Sequence, residues 1–327
     1  MSRYARQTIL PEVGEAGQAR LAGARILVVG AGGLGAPVLQ YLAGAGIGTI
    51  TIVDPDTVEV GNLHRQPLFG HGDLGTPKAE AARARLADLN PEVTSTARIE
   101  ALTPANCDTL VTNHDLVLDC ADSFAASYTL SDMCLNRDVP LISASALGLE
   151  GYVGGFCGGA PSLRAVFPDL PHTLATCATA GVLGPVVGMI GAMQAQMALA
   201  HLLGLTPSPL GALTRVDART LRTSTMRFAG APEPEKAHRF ISPAEVTEDD
   251  TVYDLRPKAE APRPAHPAAL RMLPDAFARH EPRPDTTRVV LCCRSGLRAW
   301  TAARHLSAYW DGPIALIADP QHPERNP

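Results

Sequence analysis

The sequence has no surplus of positive charge. Its 28 Lys and Arg face 33 Asp and Glu, for a formal net charge of -5 and a pI near 6.1. That balance argues against nucleic acid or an anionic membrane held by bulk charge. Cysteine is sparse too: the seven present (Cys107, Cys120, Cys134, Cys157, Cys177, Cys292, Cys293) are odd in number and scattered. With no signal peptide ahead of them they make a poor disulfide framework, so a reducing cytoplasm is the expected compartment. Met1-Ser2-Arg3-Tyr4 has no apolar core and hence no targeting character. Nor is there a clean apolar run of bilayer length. The most apolar stretch, residues 181–205, carries Gln194, Gln196 and His201 and opens Gly-Val-Leu-Gly-Pro, which suits a buried helix rather than a membrane span. Internal repeats are absent.

What is present is ordinary globular composition, 46% hydrophobic and 19% charged, over 327 residues. That length suggests two domains. Arg25–Val29 is a short apolar run, Gly30–Gly35 a glycine-rich turn, Ala36–Ala45 a helix-compatible stretch and Thr49–Val53 a second apolar run ending at Asp54. Strand, turn, helix and strand in this order form a βαβ unit. Further units are predicted from a helix over 77–89, a strand over 115–119, a helix over 129–136 and a strand over 140–143. The first domain is therefore α/β with a mostly parallel sheet. The Pro- and charge-rich segment 231–238 breaks this pattern as a linker would. Beyond it, strands over 251–255 and 288–292 and a helix over 297–308 predict a second, smaller α/β module. The expected division is 1–228, a linker at 229–240, and 241–327.

Gly30, Gly32, Gly33 and Gly35 follow a strand and open a helix, turning backbone N–H groups and a helix N-terminus toward a phosphate. Asp54, at the end of the next strand, is placed to accept from ribose hydroxyls. These two features fit NAD and ATP alike. Gly61-Asn62-Leu63-His64-Arg65-Gln66 and then Lys78 shift the balance, because a triphosphate attacked at its α-phosphorus needs cations for developing charge. Asp122, in Asp119-Cys-Ala-Asp122, ends a further strand and could hold Mg²⁺ against the phosphates. Any one such charge is most simply a solvated loop residue; the ordered set argues for a site.

Together, Arg3-Tyr-Ala-Arg6-Gln7, Gly-x-Gly-Gly-Leu-Gly, Asp54-Pro-Asp56, Asn62-Leu-His-Arg65-Gln66, Pro77-Lys78, Asp119-Cys-Ala-Asp122 and Cys177-x-x-x-Gly181-Val182 resemble the MoeB/ThiF/HesA adenylyltransferases, relatives of ubiquitin-activating enzymes. The resemblance covers about residues 1–228. It implies ATP and Mg²⁺ as cofactors, contacted by the glycine turn, Asp54, Asp56, the 61–66 segment, Lys78 and Asp122. It also implies a homodimer in which Arg6 reaches the partner's phosphates. The reaction implied is adenylation of the C-terminal carboxylate of a ubiquitin-like sulfur carrier of the MoaD/ThiS kind. Ser123 departs from the family's Asn but keeps a hydrogen-bonding oxygen. Cys177 occupies a position where relatives carry a cysteine able to link covalently to the carrier or a sulfur donor; a small buried hydrophobe is the bland alternative. The family's two Cys-x-x-Cys zinc pairs are missing: residues 161–168 carry Ser162 and Ala165 at the ligand positions and 231–238 has no cysteine, so a structural zinc is not expected.

Cys293-Arg294-Ser295-Gly296-Leu297-Arg298, with Asp254-Leu-Arg256 and Glu260 upstream, resembles a rhodanese-type sulfurtransferase. There a cysteine carries a persulfide among converging N–H groups, which implies a persulfide donor such as a cysteine desulfurase. The loop has four residues between Cys and Arg, one fewer than a phosphate-binding loop of this kind. His266-Pro-Ala-Ala-Leu270 lacks the usual glycine turn, so a degenerate docking module is the competing reading. For the whole chain, an NAD-dependent oxidoreductase and a non-catalytic nucleotide-binding module are the alternatives. The oxidoreductase is disfavoured by the lack of a His or Tyr base in a recognisable pattern.

Overall fold

The computed structural model describes residues 3–169, 181–278, 280, 282 and 286–319. It divides into two compact units, the first mainly residues up to Glu233 and the second mainly Pro234 onward.

In the first unit the order is α1 (Ala5–Thr8), α2 (Gly14–Gly23), β1 (Arg25–Val29), α3 (Gly35–Ala45), β2 (Thr49–Val53), α4 (Lys78–Leu89), β3 (Thr94–Arg98), α5 (Pro104–Thr112), β4 (Leu116–Asp119) and α6 (Phe124–Arg137). There follow β5 (Leu141–Leu147), β6 (Glu150–Phe156), α7 (Leu163–Val166), α8 (Gly184–Leu203), β7 (Ala212–Asp217) and β8 (Arg222–Arg227). Eight strands form one sheet in the order β3-β2-β1-β4-β5-β6-β7-β8. The first five are parallel, and from β5 onward each pairing is antiparallel. Strand order reverses between β1 and β4, and in open α/β sheets the crevice at the strands' carboxyl ends beside such a reversal is where ligands bind.

The central strands read as continuous apolar runs because helices cover both faces. Ile26, Val28, Ile50, Ile52, Leu116 and Leu118 join one buried cluster with α3, α4 and α8. Leu27, Val117 and Leu141 alternate to the other face, and α6 packs on β4 and β5. α8 is long and apolar enough, by length and composition, to cross a membrane. Its buried residues Val186, Val187, Ile190, Gly191, Gln194, Ala195 and Ala198 recur at helical spacing, and they pack on α3, β5 and β6 as a core helix does.

The second unit comprises β9 (Arg239–Phe240), β10 (Asp250–Asp254), β11 (Leu270–Arg271), α9 (Pro274–Phe277), β12 (Arg288–Cys293), α10 (Leu297–Leu306) and β13 (Ile314–Ala318). Its sheet is wholly parallel, β11-β10-β12-β13-β9. Arg239 and Phe240, expected at the end of the linker, are thus an edge strand of this sheet, and Phe240 is buried.

Candidate functional site

Most of the expected nucleotide residues converge at the carboxyl edge of β1, β2 and β4. Gly30 leaves β1 at φ +97°, and a Cβ there would lie 2.6 Å from the Cys120 carbonyl oxygen, so only glycine lets the turn pass the end of β4. Gly32 is open: a Cβ would meet only Gln66 Nε2, at 3.7 Å. Gly33 faces the Arg65 backbone and α8, and Gly35 begins α3. Asp54, buried at the end of β2, accepts from Ala31 N–H through Oδ2 (2.7 Å) and from Asp56 N–H through Oδ1 (2.8 Å). Burial raises its pKa, against the pull of the Lys78 charge and those two N–H donors. Each carboxylate oxygen retains a lone pair for a ribose hydroxyl.

Lys78 opens α4 with its side chain only 7% exposed, and its Nζ lies 3.0 Å from Asp56 Oδ2. Burying the stem fixes where the ammonium emerges. Arg65 is folded onto its own loop, with its guanidinium donating to Gly61 O (3.2 Å) and Asn62 Oδ1 (2.9 Å) and lying 2.8 Å from His64 Nε2. Leu63 packs against the core. Gln66 is buried, and its Oε1 has no hydrogen-bond partner among the described residues. Asp122 and Ser123 are exposed between β4 and α6. An open cradle at Gly32, an orphaned amide oxygen beside it and a ring of Lys78, Arg65 and Asp54 fit a bound nucleotide. Among the described residues no three His, Cys, Asp or Glu side chains cluster as a metal site. Mg²⁺ held by one carboxylate and substrate phosphates requires no such cluster.

Arg6 is not brought to this group within one chain. α1 lies at the far end of α3, where Gln7 donates to Ala45 O (3.0 Å) and Tyr4 abuts Gly46, roughly 16 Å of helix from the glycine turn. Cys177 lies outside the described residues. Ser162, at an expected zinc-ligand position, donates from N and Oγ to Glu233 (2.6 and 2.5 Å). Arg164 is buried, bidentate to Asp132 (2.6 and 2.9 Å) and stacked on Tyr128. Sequence reasoning missed Asp119 as a site residue and used Gln194 only against a membrane span. Both are fully buried beside Asp122's turn, and the available signal was a lone amide on the core face of an apolar helix.

Cys293, expected at the mouth of its loop, instead has no exposed surface. It ends β12 beneath residues 294–298, with Ala299 N–H 3.4 Å from Sγ, because the loop folds back over the thiol as α10 begins. Arg298 lies beside it and pairs bidentately with Glu260, which holds that carboxyl below its usual range. Arg256 is buried between Asp254 and Asp319. Cys292 points the other way, into Ile241, Val252, Val290, Ala315 and Ile317, and burial pushes its thiol up.

Residues 4–237 match the ThiF family. The chain belongs to that family. Among ThiF-family relatives, it is 47% identical over 206 residues to adenylyltransferase and sulfurtransferase UBA4 of Yarrowia lipolytica, covering 62% of this chain and 52% of that protein. It is 47% identical over 219 residues to adenylyltransferase and sulfurtransferase MOCS3 of Sus scrofa, covering 66% and 48%. It is 40% identical over 236 residues to the SAMP-activating enzyme E1 of Haloferax volcanii, covering 71% and 87%. The chain thus spans about half the length of the first two. Its fold is similar to that of E. coli MccB, solved with ATP, at a TM-score of 0.62 and 21% identity over 70% of this chain and 72% of that one.

Proposed function

We propose that this chain binds ATP with Mg²⁺ at the carboxyl edge of β1, β2 and β4 and adenylates the C-terminal carboxylate of a ubiquitin-like sulfur carrier. The observation that carries the reading is the convergence of Lys78, Arg65, Asp54 and the glycine turn at the strand-order reversal, in a chain whose relatives are named adenylyltransferases. A carboxylate oxygen of the carrier attacks the α-phosphorus in line, the bond from that phosphorus to the bridging oxygen breaks, and pyrophosphate leaves. The nucleophile is already an anion near neutral pH, so no general base is required. Lys78 and Arg65 neutralise charge on the phosphates, Asp54 and the turn hold the nucleotide, and Asp56 keeps the Lys78 ammonium at the rim until phosphate replaces it. Mg²⁺ held by Asp122 would add charge stabilisation at the phosphates. Since Arg6 lies at the other end of α3, a homodimer would let each protomer lend it to its partner's site.

In the second unit Cys293 is the proposed sulfur carrier of a rhodanese-like module. Its thiolate takes the outer sulfur of a persulfide, with the donor leaving as a thiolate, once the loop clamped by Glu260 and Arg298 admits the donor. A cysteine desulfurase is the donor class proposed, and a reducing cytoplasm the compartment. Incubation with thiosulfate followed by mass spectrometry tests this: a persulfide on Cys293 supports it, and an unmodified thiol removes it. Exchange of labelled pyrophosphate into ATP, dependent on a carrier with a free C-terminal carboxylate, tests the adenylation.

A further inference from the structure

The core face of α8 is apolar except for Gln194, which is fully buried. Burying an amide is unfavourable unless its hydrogen-bonding groups are used, and here they are. Nε2 donates to Asp119 O (2.8 Å) and Ile142 O (3.0 Å), while Oε1 accepts the Cys120 thiol (3.4 Å). Those two carbonyls belong to adjacent parallel strands, β4 and β5, so one side chain ties the end of β4 to both its neighbour and the helix.

The Asp119 carboxylate is a second knot in the same place, also without exposed surface. Oδ2 accepts from Ser143 Oγ on β5 (2.8 Å), and Oδ1 accepts from Ala121 N–H (3.2 Å), bending the chain back two residues after the strand. The Ser127 hydroxyl of α6 donates to the Ser123 carbonyl (3.3 Å), closing the segment just after the turn. Partners from β5 and α8 therefore converge on four residues whose last member, Asp122, is exposed. Nothing in the chemistry of a core calls for a carboxylate here; an apolar side chain would fill the space at lower cost. What the carboxylate and the amide do is define the path of the backbone between Asp119 and Asp122.

We infer that Asp119 and Gln194 are positioning residues that fix the 119–122 turn, so that Asp122 is presented rigidly to a cation on the bound nucleotide. This rests on the nucleotide reading above. It separates position from charge at Asp119: an asparagine keeps an acceptor for Ala121 N–H and a partner for Ser143, whereas a leucine keeps neither.

The test is titration calorimetry of ATP into the full chain, in Mg²⁺ and in EDTA, for wild type, Asp119→Leu, Asp119→Asn, Gln194→Met and Asp122→Asn. Asp119→Leu and Gln194→Met should lose about tenfold or more of the affinity that Mg²⁺ adds, as misplaced groups do. Their binding in EDTA should stay within about threefold of wild type, and Asp119→Asn should recover most of the Mg²⁺-dependent gain. If Asp119→Leu does not fold, Ser143→Ala removes one strut of the same network and should lose part of the gain. Asparagine failing as badly as leucine would overturn the inference in favour of charge, and an undiminished gain in leucine and methionine variants would overturn it outright. A wild-type protein that gains nothing from Mg²⁺ would instead sink the underlying nucleotide reading. A gain abolished by Asp122→Asn but untouched by Asp119→Leu would sink this inference alone.

Discussion

Asp119 lies wholly inside the first unit, where burial pushes its carboxyl up from 3.8 to about 6 in spite of hydrogen bonds from the Ser143 hydroxyl and Ala121 N–H. A raised acid binds more protons folded than unfolded, so its contribution to stability declines as pH rises from about 4 to about 6 and stays unfavourable above. Asparagine does not titrate. The stability difference between Asp119→Asn and wild type should therefore move in the variant's favour through that window, by on the order of 3 kcal/mol between low pH and pH 8. Urea unfolding of the first unit at a series of pH values measures it, and a pH-independent difference would show that Asp119 does not titrate as described. Residues proposed to meet the nucleotide by charge or by glycine geometry were legible in the sequence: Gly30, Asp54, Arg65 and Lys78 sit in short ordered motifs at the carboxyl edge of the sheet. Asp119 and Gln194 were not, because Gln194 Nε2 donates to the Asp119 backbone carbonyl across the fold, and a partner 75 residues away leaves no local pattern.

Among the elements, α8 and the 61–66 loop meet at Gly184, where a Cβ would run into the His64 carbonyl oxygen. A backbone oxygen has little room to yield, so Gly184→Ala should displace the loop carrying Arg65 and weaken ATP binding on the order of tenfold. Calorimetric titration checks it, and unchanged affinity would mean that the loop adapts freely. At α7, the Ser162–Glu233 hydrogen bonds and the Arg164–Asp132 pair tie down the segment for which relatives are expected to use cysteines. Metal analysis of purified protein should find no stoichiometric zinc, and one tightly bound zinc per chain would show the ligands to be elsewhere. The buried parallel strands β1, β2, β4 and β12 were legible as apolar runs. β3 and β6 to β8 were not: β3, Thr-Ser-Thr-Ala-Arg, alternates in burial but with almost no apolar side chain to show it, β6 is rich in glycine, and every residue of β8 is exposed. α6 begins at Phe124, five residues before its expected start, with Ser123 at its N-cap making no side-chain cap hydrogen bond.

At the scale of the molecule, two units with separate sheets carry two candidate chemistries, which predicts that they can be disabled separately. Cys293→Ala should abolish persulfide formation from thiosulfate and leave pyrophosphate exchange intact; loss of both would mean that the units act as one. Arg6→Ala should lose exchange yet recover it in mixed dimers with an Asp122→Ala subunit, because one of the two sites would then have both residues; no recovery would rule out a shared site. The central claim is adenylation of a carrier's C-terminus, and pyrophosphate exchange tests it most directly. Wild-type protein with a ubiquitin-like sulfur carrier and Mg²⁺ should incorporate labelled pyrophosphate into ATP. Deleting the carrier's terminal residue or substituting Asp122→Ala should reduce incorporation to background. Exchange that persists in the folded Asp122→Ala variant would remove Asp122 from the mechanism, and no exchange by wild type with any such carrier would contradict the account.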